Sequence, residues 1–158
     1  MARKPEQPLI EPGQVLREFS RAQVRELATQ WLAVFAANGR APGTSRYLWH
    51  VFSYGSTPAL ALAGARRQYE LESCAEYVVL SNERDVAFVT NERPTASSLR
   101  DWFVFPPNLA WTMAFTHEDG WLGPYFAKHP DYESLNAENR ALWRKRREAD
   151  MARERGWT

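Results

Sequence analysis

His117-Glu118-Asp119-Gly120 is the sharpest polar cluster in the chain: an imidazole beside carboxylates at the end of an apolar stretch. An imidazole titrates near neutrality, so it can take or give a proton when a carboxylate orients it. The stretch before it alternates. Leu109, Trp111, Met113 and Phe115 share one face of a strand, and Ala110, Thr112, Ala114 and Thr116 share the other. If that strand ran on, His117 would follow the bulky face and Glu118 the small one, and the two would point apart. They converge only where the strand ends at Thr116, an ending that the Asp119-Gly120 turn signal allows. The competing reading is a strand-end His and Glu that tie down the turn. His50, inside the apolar run 47–54, is the third candidate. Its plain reading is a buried, hydrogen-bonded core histidine, and its sharper one is a catalytic partner to His117 and Glu118.

Other chemistries find less support. His50, His117, His129, Glu118, Asp119 and Cys74 have the right atoms for a metal, but no pair has the spacing of HExxH or CxxC, so no metal is expected. Cys74, the single cysteine, precedes a strand and reads as a small buried apolar group. GxGxxG, Walker and GxSxG loops are absent, and no cofactor is expected. Arg144, Lys145, Arg146 and Arg147, beside Trp143, could contact phosphates. Such a run is more commonly the solvated side of a terminal helix, and nucleic acid is not the expected partner. Gly123-Pro124-Tyr125-Phe126 fixes a turn and lands two aromatics in a defined place. It either anchors a loop or presents Trp121, Tyr125 and Phe126 as a binding rim, to which Trp49 and Trp111 would add.

Composition bounds what these residues can serve. The 158 residues suit one ordinary domain, and the aromatic share of 13% supplies material for both a core and a binding surface. Twenty Lys and Arg against nineteen Asp and Glu leave +1, which offers no global field for nucleic acid or an anionic membrane. One cysteine cannot form an internal disulfide, and no run reaches membrane-spanning length. The expectation is a cytoplasmic protein.

The elements that must position the candidates follow from periodicity. Residues 1–13, with Pro5, Pro8, Pro12 and Gly13, read as a flexible or loosely docked lead-in. Ser20 and Gln23 fit a capping box, with Phe19 and Val24 as a staple. Val24, Leu27, Ala28, Trp31, Leu32 and Phe35 then make one apolar helical stripe, stopped by Asn38-Gly39. The run 47–54 is a short strand or, by a small margin, a short helix capped by Thr44 or Ser45 and ended at Gly55. A helix over 63–72 precedes a hairpin of strands 76–80 and 86–90, then strands 102–105 and 109–116. Residues 133–158 form a basic helical extension, packed on the body or projecting from it, capped near Asn136, with a thin stripe of Leu135, Leu142, Trp143, Ala149 and Ala152. The expected fold is α+β over 14–132, a four-stranded, mainly antiparallel sheet flanked by the N-terminal amphipathic helix and the C-terminal basic helix.

Three blocks in order carry a resemblance: Leu48-Trp49-His50-Val51-Phe52-Ser53-Tyr54-Gly55, then Trp111-Thr112 with Phe115-Thr116-His117-Glu118, then Gly123-Pro124-Tyr125-Phe126. Over roughly 20–130 the chain resembles a bacterial family known as domain of unknown function 4275, and the arginine-rich tail does not. The resemblance implies one small α+β domain and no established activity, so it brings no catalytic residue. Two functions are expected from the residues. The first is a non-enzymatic cytoplasmic domain that binds a protein partner, of the immunity type that neutralises a toxin. The alternative is a small hydrolase or nucleic-acid-processing enzyme using His117 and Glu118 with His50.

Overall fold

The hairpin after Glu76 seeds the sheet. Its strands β3 (Tyr77–Ser81) and β4 (Ala87–Thr90) pair antiparallel, with Val79 opposite Phe88. Ser81 closes the turn: its hydroxyl donates to Asp85 Oδ1 at 2.8 Å and accepts the Val86 amide at 3.1 Å. Strand β5 (Trp102–Phe105) joins the free side of β3, and β6 (Trp111–Phe115) joins β5 with Trp102 opposite Phe115. The computed structural model describes residues 9–36, 47–53, 57–118 and 122–156.

These four strands are the expected ones, but among the described residues the sheet holds seven. β1 (Val15–Glu18) pairs with β4, β7 (Tyr125–Lys128) with β6, and β2 (Leu60–Ala61) with β7, every pairing antiparallel. The order is β1-β4-β3-β5-β6-β7-β2. The three additions escape a pattern search for physical reasons. β1 and β2 are edge strands that bury almost nothing, so neither alternates, and β7 hides behind the Gly-Pro turn that launches it.

Helices cover both faces. Helix α1 (Arg21–Phe35) starts at the expected box: the Gln23 amide donates to Ser20 Oγ at 3.2 Å, and Gln23 Oε1 accepts the Ser20 amide at 2.8 Å. Its stripe Val24, Ala28, Trp31 and Phe35 lies on one sheet face with the 47–53 segment, where α2 (His50–Ser53) is a single helical turn. The segment is therefore helical rather than a strand; Thr44, Ser45 and Gly55, and the Asn38-Gly39 stop, lie outside the described residues. The small face of β6 accepts α1 closely, and the Trp31 indole donates to Thr112 Oγ1 at 2.9 Å. Helix α3 (Leu62–Leu71) covers the other face through Ala65 and Tyr69. Trp111, Met113 and Phe126 belong to that second core. Of the expected flexible lead-in, residues 9–13 are docked: Ile10 is buried and Glu11 donates its amide to the Ala96 carbonyl at 2.8 Å.

Helix α4 (Tyr132–Glu154) begins at Tyr132, so Asn136 is an interior residue and not a cap. It packs on the body through only part of the expected stripe, Leu135 and Trp143, together with polar residues. Leu142 is 58% exposed, whereas Asn136 and Asn139 are buried. Asn139 Nδ2 donates to Asn108 Oδ1 at 3.2 Å, and Asn108 Nδ2 donates to the Leu135 carbonyl at 3.0 Å. The Tyr132 hydroxyl donates to Glu72 Oε1 at 2.6 Å. Hydrogen bonds, with Tyr132 and Leu135 packed against the second core, hold this helix down. Among the described residues no helix is long and apolar enough to cross a membrane.

Candidate functional site

Strand β6 ends at Phe115, so His117 and Glu118 stand in the turn beyond it and escape strand parity. They converge: Glu118 Oε1 lies 3.4 Å from His117 Nε2. The other ring nitrogen is held from the neighbouring strand. Because Trp102 sits opposite Phe115, the residue before β5 comes alongside the residues after β6, and that residue is Asp101. Both its carboxylate oxygens lie 2.9 Å from His117 Nδ1, and Oδ1 also accepts the His117 main-chain N–H at 2.9 Å. Accessibility rises outward along the three: the Asp101 side chain is 2% exposed, His117 17% and Glu118 31%. With a carboxylate against Nδ1, the ring keeps its proton there and offers Nε2 as the acid–base atom.

The wall of the site is aromatic. The Tyr47 ring lies 5.2 Å from that of His117 and 5.7 Å from that of His50, and the Trp49 ring lies 4.2 Å from that of His50. Asn82 ties this wall to the Asp101–His117 pair. Its Oδ1 accepts the Leu48 amide at 2.9 Å, and its own amide donates to the Asp101 carbonyl at 3.0 Å. The floor is closed by Tyr125, stacked on Trp49 at 6.3 Å. His50 and His117 thus flank the same Tyr47 ring, and the Glu118 charge is felt at His50.

Burial holds the His50 imidazole below its ordinary range, and the Glu118 charge partly offsets that. Glu118→Gln is therefore expected to lower the His50 midpoint further in an NMR pH titration; an unchanged midpoint would show that the two do not interact. The depressed value also fixes a sign. The unfolded chain binds the His50 proton more readily, so this contribution to stability is present above about pH 6.5 and is lost as pH falls through the folded midpoint.

A second lock fixes the exit from β6. The Thr116 hydroxyl donates to the Leu122 carbonyl at 2.5 Å, directly over Gly123. Gly123 has φ +104°, and a Cβ there would lie 2.8 Å from Thr116 Oγ1 and 2.9 Å from its Cγ2. Gly123→Ala combines left-handed strain with a clash and is expected to cost about 2–3 kcal/mol in urea unfolding.

The other sequence candidates are placed elsewhere. Trp49, Trp111 and Phe126 are at most 1% exposed and Tyr125 7%, so they are core residues and form no rim; the large ring surfaces that suggest binding are spent on the two cores. Trp121, with Asp119 and Gly120, lies outside the described residues. Arg144 and Lys145 are exposed on α4, while Arg146 reaches back to the Ala75 carbonyl and Arg147 lies over the Trp143 ring. Among the described residues no group of three His, Cys, Asp or Glu side chains could hold a metal ion. Sequence reasoning missed Asp101 and Tyr47. The register between 102–105 and 109–116 is the signal that could have found Asp101.

The model of one family, described as a domain of unknown function (DUF4275), matches residues 26–126, from within α1 to the second residue of β7. No curated protein matches the chain, and no solved structure does.

Proposed function

Since the chain belongs to the DUF4275 family, a membership that assigns it no reaction, we propose from the site itself that it is a small acid–base enzyme of the hydrolase type. The observation that carries this reading is the Asp101–His117–Glu118 arrangement: a buried carboxylate on Nδ1 and a more open one 3.4 Å from Nε2. This is the order in which a buried acid orients an imidazole for proton transfer at its outer nitrogen. His117 Nε2 takes a proton from water as its oxygen attacks the substrate, and the imidazolium returns that proton to the leaving group as its bond to the substrate breaks. His50, made harder to protonate by burial, lies across the Tyr47 ring from His117. Neither carboxylate is paired with a Lys or Arg among the described residues. Two carboxylates without such cations repel an anionic substrate, which favours a neutral or cationic one and argues against cleavage of nucleic acid.

The test is a panel of neutral chromogenic esters, anilides and glycosides, with bis-p-nitrophenyl phosphate as the anionic control. Turnover of a neutral substrate should fall by roughly a hundredfold or more in His117→Gln. Equal turnover by both proteins, or turnover of the phosphodiester alone, would overturn the reading.

A second reading, the non-enzymatic partner-binding domain of the immunity type, draws on a different place. Leu60 is 46% and Leu62 41% exposed at the sheet edge, beside a groove lined by Pro58, Ala59, Phe126, Ala127 and Lys128. A one-to-one complex recovered from the native host and lost with Leu60→Asp supports it; a complex indifferent to that change counts against this surface.

A further inference from the structure

Between the later turns of α4 and the body lies a partly open cavity of about 260 Å³. Tyr77 and Cys74 form its floor, Arg93 one wall, and Trp143, Arg146 and Arg147 the other. Three guanidinium groups thus border one small space. Two are set in place by main-chain carbonyls. Arg93 Nη2 donates to the Glu72 carbonyl at 2.6 Å, and Arg146 Nη1 donates to the carbonyls of Ala75 and, at 3.2 Å, Asn91. The third, Arg147, rests over the Trp143 ring, 5.0 Å from its centroid.

The opposing charge is largely engaged elsewhere: Glu72 and Glu76, which act on Cys74, are held by Gln68 and Tyr132 and by Arg17. Glu92 and Asp150 line the cavity, but Glu92 is exposed, and Asp150 is engaged by Arg153 and, at 3.8 Å, by Arg146. Burial pushes the Cys74 thiol up, so it stays neutral and adds no negative charge. Arg93 Nε is buried and has no acceptor among the described residues. A buried guanidinium N–H without an acceptor is a rare and unfavourable arrangement.

We propose that this cavity binds the phosphate group of a small phosphomonoester. Guanidinium forks match the oxygens of a tetrahedral oxyanion and form short, charge-assisted bonds with them. The volume falls just below the roughly 300–1,000 Å³ of pockets that take drug-sized ligands, which limits the occupant to a small molecule. Arg144 and Lys145, the exposed part of the basic run, do not line the cavity, whereas a nucleic-acid strand would use them. The site bridges α4 to the body, so its occupant couples the two.

Titration calorimetry on the whole chain tests this, with inorganic phosphate, glycerol 3-phosphate and a single-stranded oligoribonucleotide at fixed ionic strength. Saturable one-to-one binding of the small phosphates is expected, weakened about tenfold or more by Arg147→Gln and by Arg93→Gln and unchanged by Arg144→Gln. Hydrogen exchange in α4 should slow when glycerol 3-phosphate is present. Arg147 is exposed, so its variant keeps the wild-type melting temperature and reports on binding alone. No saturable binding of either small phosphate, binding indifferent to both the Arg93 and Arg147 changes, or binding of the oligoribonucleotide alone would overturn the assignment.

Discussion

Asp101→Asn is expected to leave the fold intact and to reduce turnover at His117 by on the order of a thousandfold. The carboxamide oxygen can still accept the His117 main-chain N–H now held at 2.9 Å. Its amino group, however, faces Nδ1 and donates, so the ring must move its proton to Nε2. That removes the lone pair from the one nitrogen turned toward Glu118. Asp101→Ala acts differently. It strands the His117 main-chain N–H and the ring Nδ1 in a nearly dry place, which is expected to cost about 2–4 kcal/mol. Ring nitrogen chemical shifts report the tautomer without any substrate, and urea unfolding separates the two variants. An Asp101→Asn protein with the wild-type tautomer, or with full turnover, would show that Asp101 serves only to fasten the sheet.

The largest loss of stability is expected at Trp31. Its side chain is fully buried, touches Phe35, Phe52 and Phe103 at ring separations of 5.0–5.7 Å, and donates its indole N–H to Thr112 in β6. Trp31→Ala removes that packing, opens a cavity between α1 and the sheet, and is expected to cost about 3–5 kcal/mol. Typical domains have only ~5–15 kcal/mol in total, so this change consumes a large share. Trp31→Phe keeps most of the ring and loses the hydrogen bond, for roughly 1 kcal/mol. Thermal and urea unfolding check both. An alanine variant within 1 kcal/mol of wild type would contradict the placement of α1.

What could be read from the sequence follows how strongly each segment is buried. Tyr77–Ser81, Ala87–Thr90, Trp102–Phe105 and Trp111–Phe115 are buried almost throughout, and their β-branched and aromatic runs announce them. Ser20 and Gln23 announce α1 because capping chemistry is local. Val15–Glu18 and Leu60–Ala61 carry no such pattern; they become strands only because β4 and β7 offer them open edges. The same distinction governs the site. His117 and Glu118 are neighbours in sequence and could be singled out. Asp101 depends on the β5–β6 register, and Tyr47 on how the 47–53 segment lies against the sheet. Trp111 and Phe126 mislead because a large aromatic reads the same in a core as on a surface.

The way α4 is fastened has a consequence for how the chain opens. Detaching its first turns breaks the bonds from Tyr132 to Glu72, from Asn139 to Asn108 and from Asn108 to the Leu135 carbonyl, but of its apolar side chains there only Tyr132 and Leu135 leave the core, far less area than opening the sheet exposes. Denaturant sensitivity and heat capacity both scale with newly exposed surface. Undocking of α4 should therefore respond weakly to urea while the sheet responds steeply, so that hydrogen exchange divides the chain into two units even where a single unfolding transition is seen.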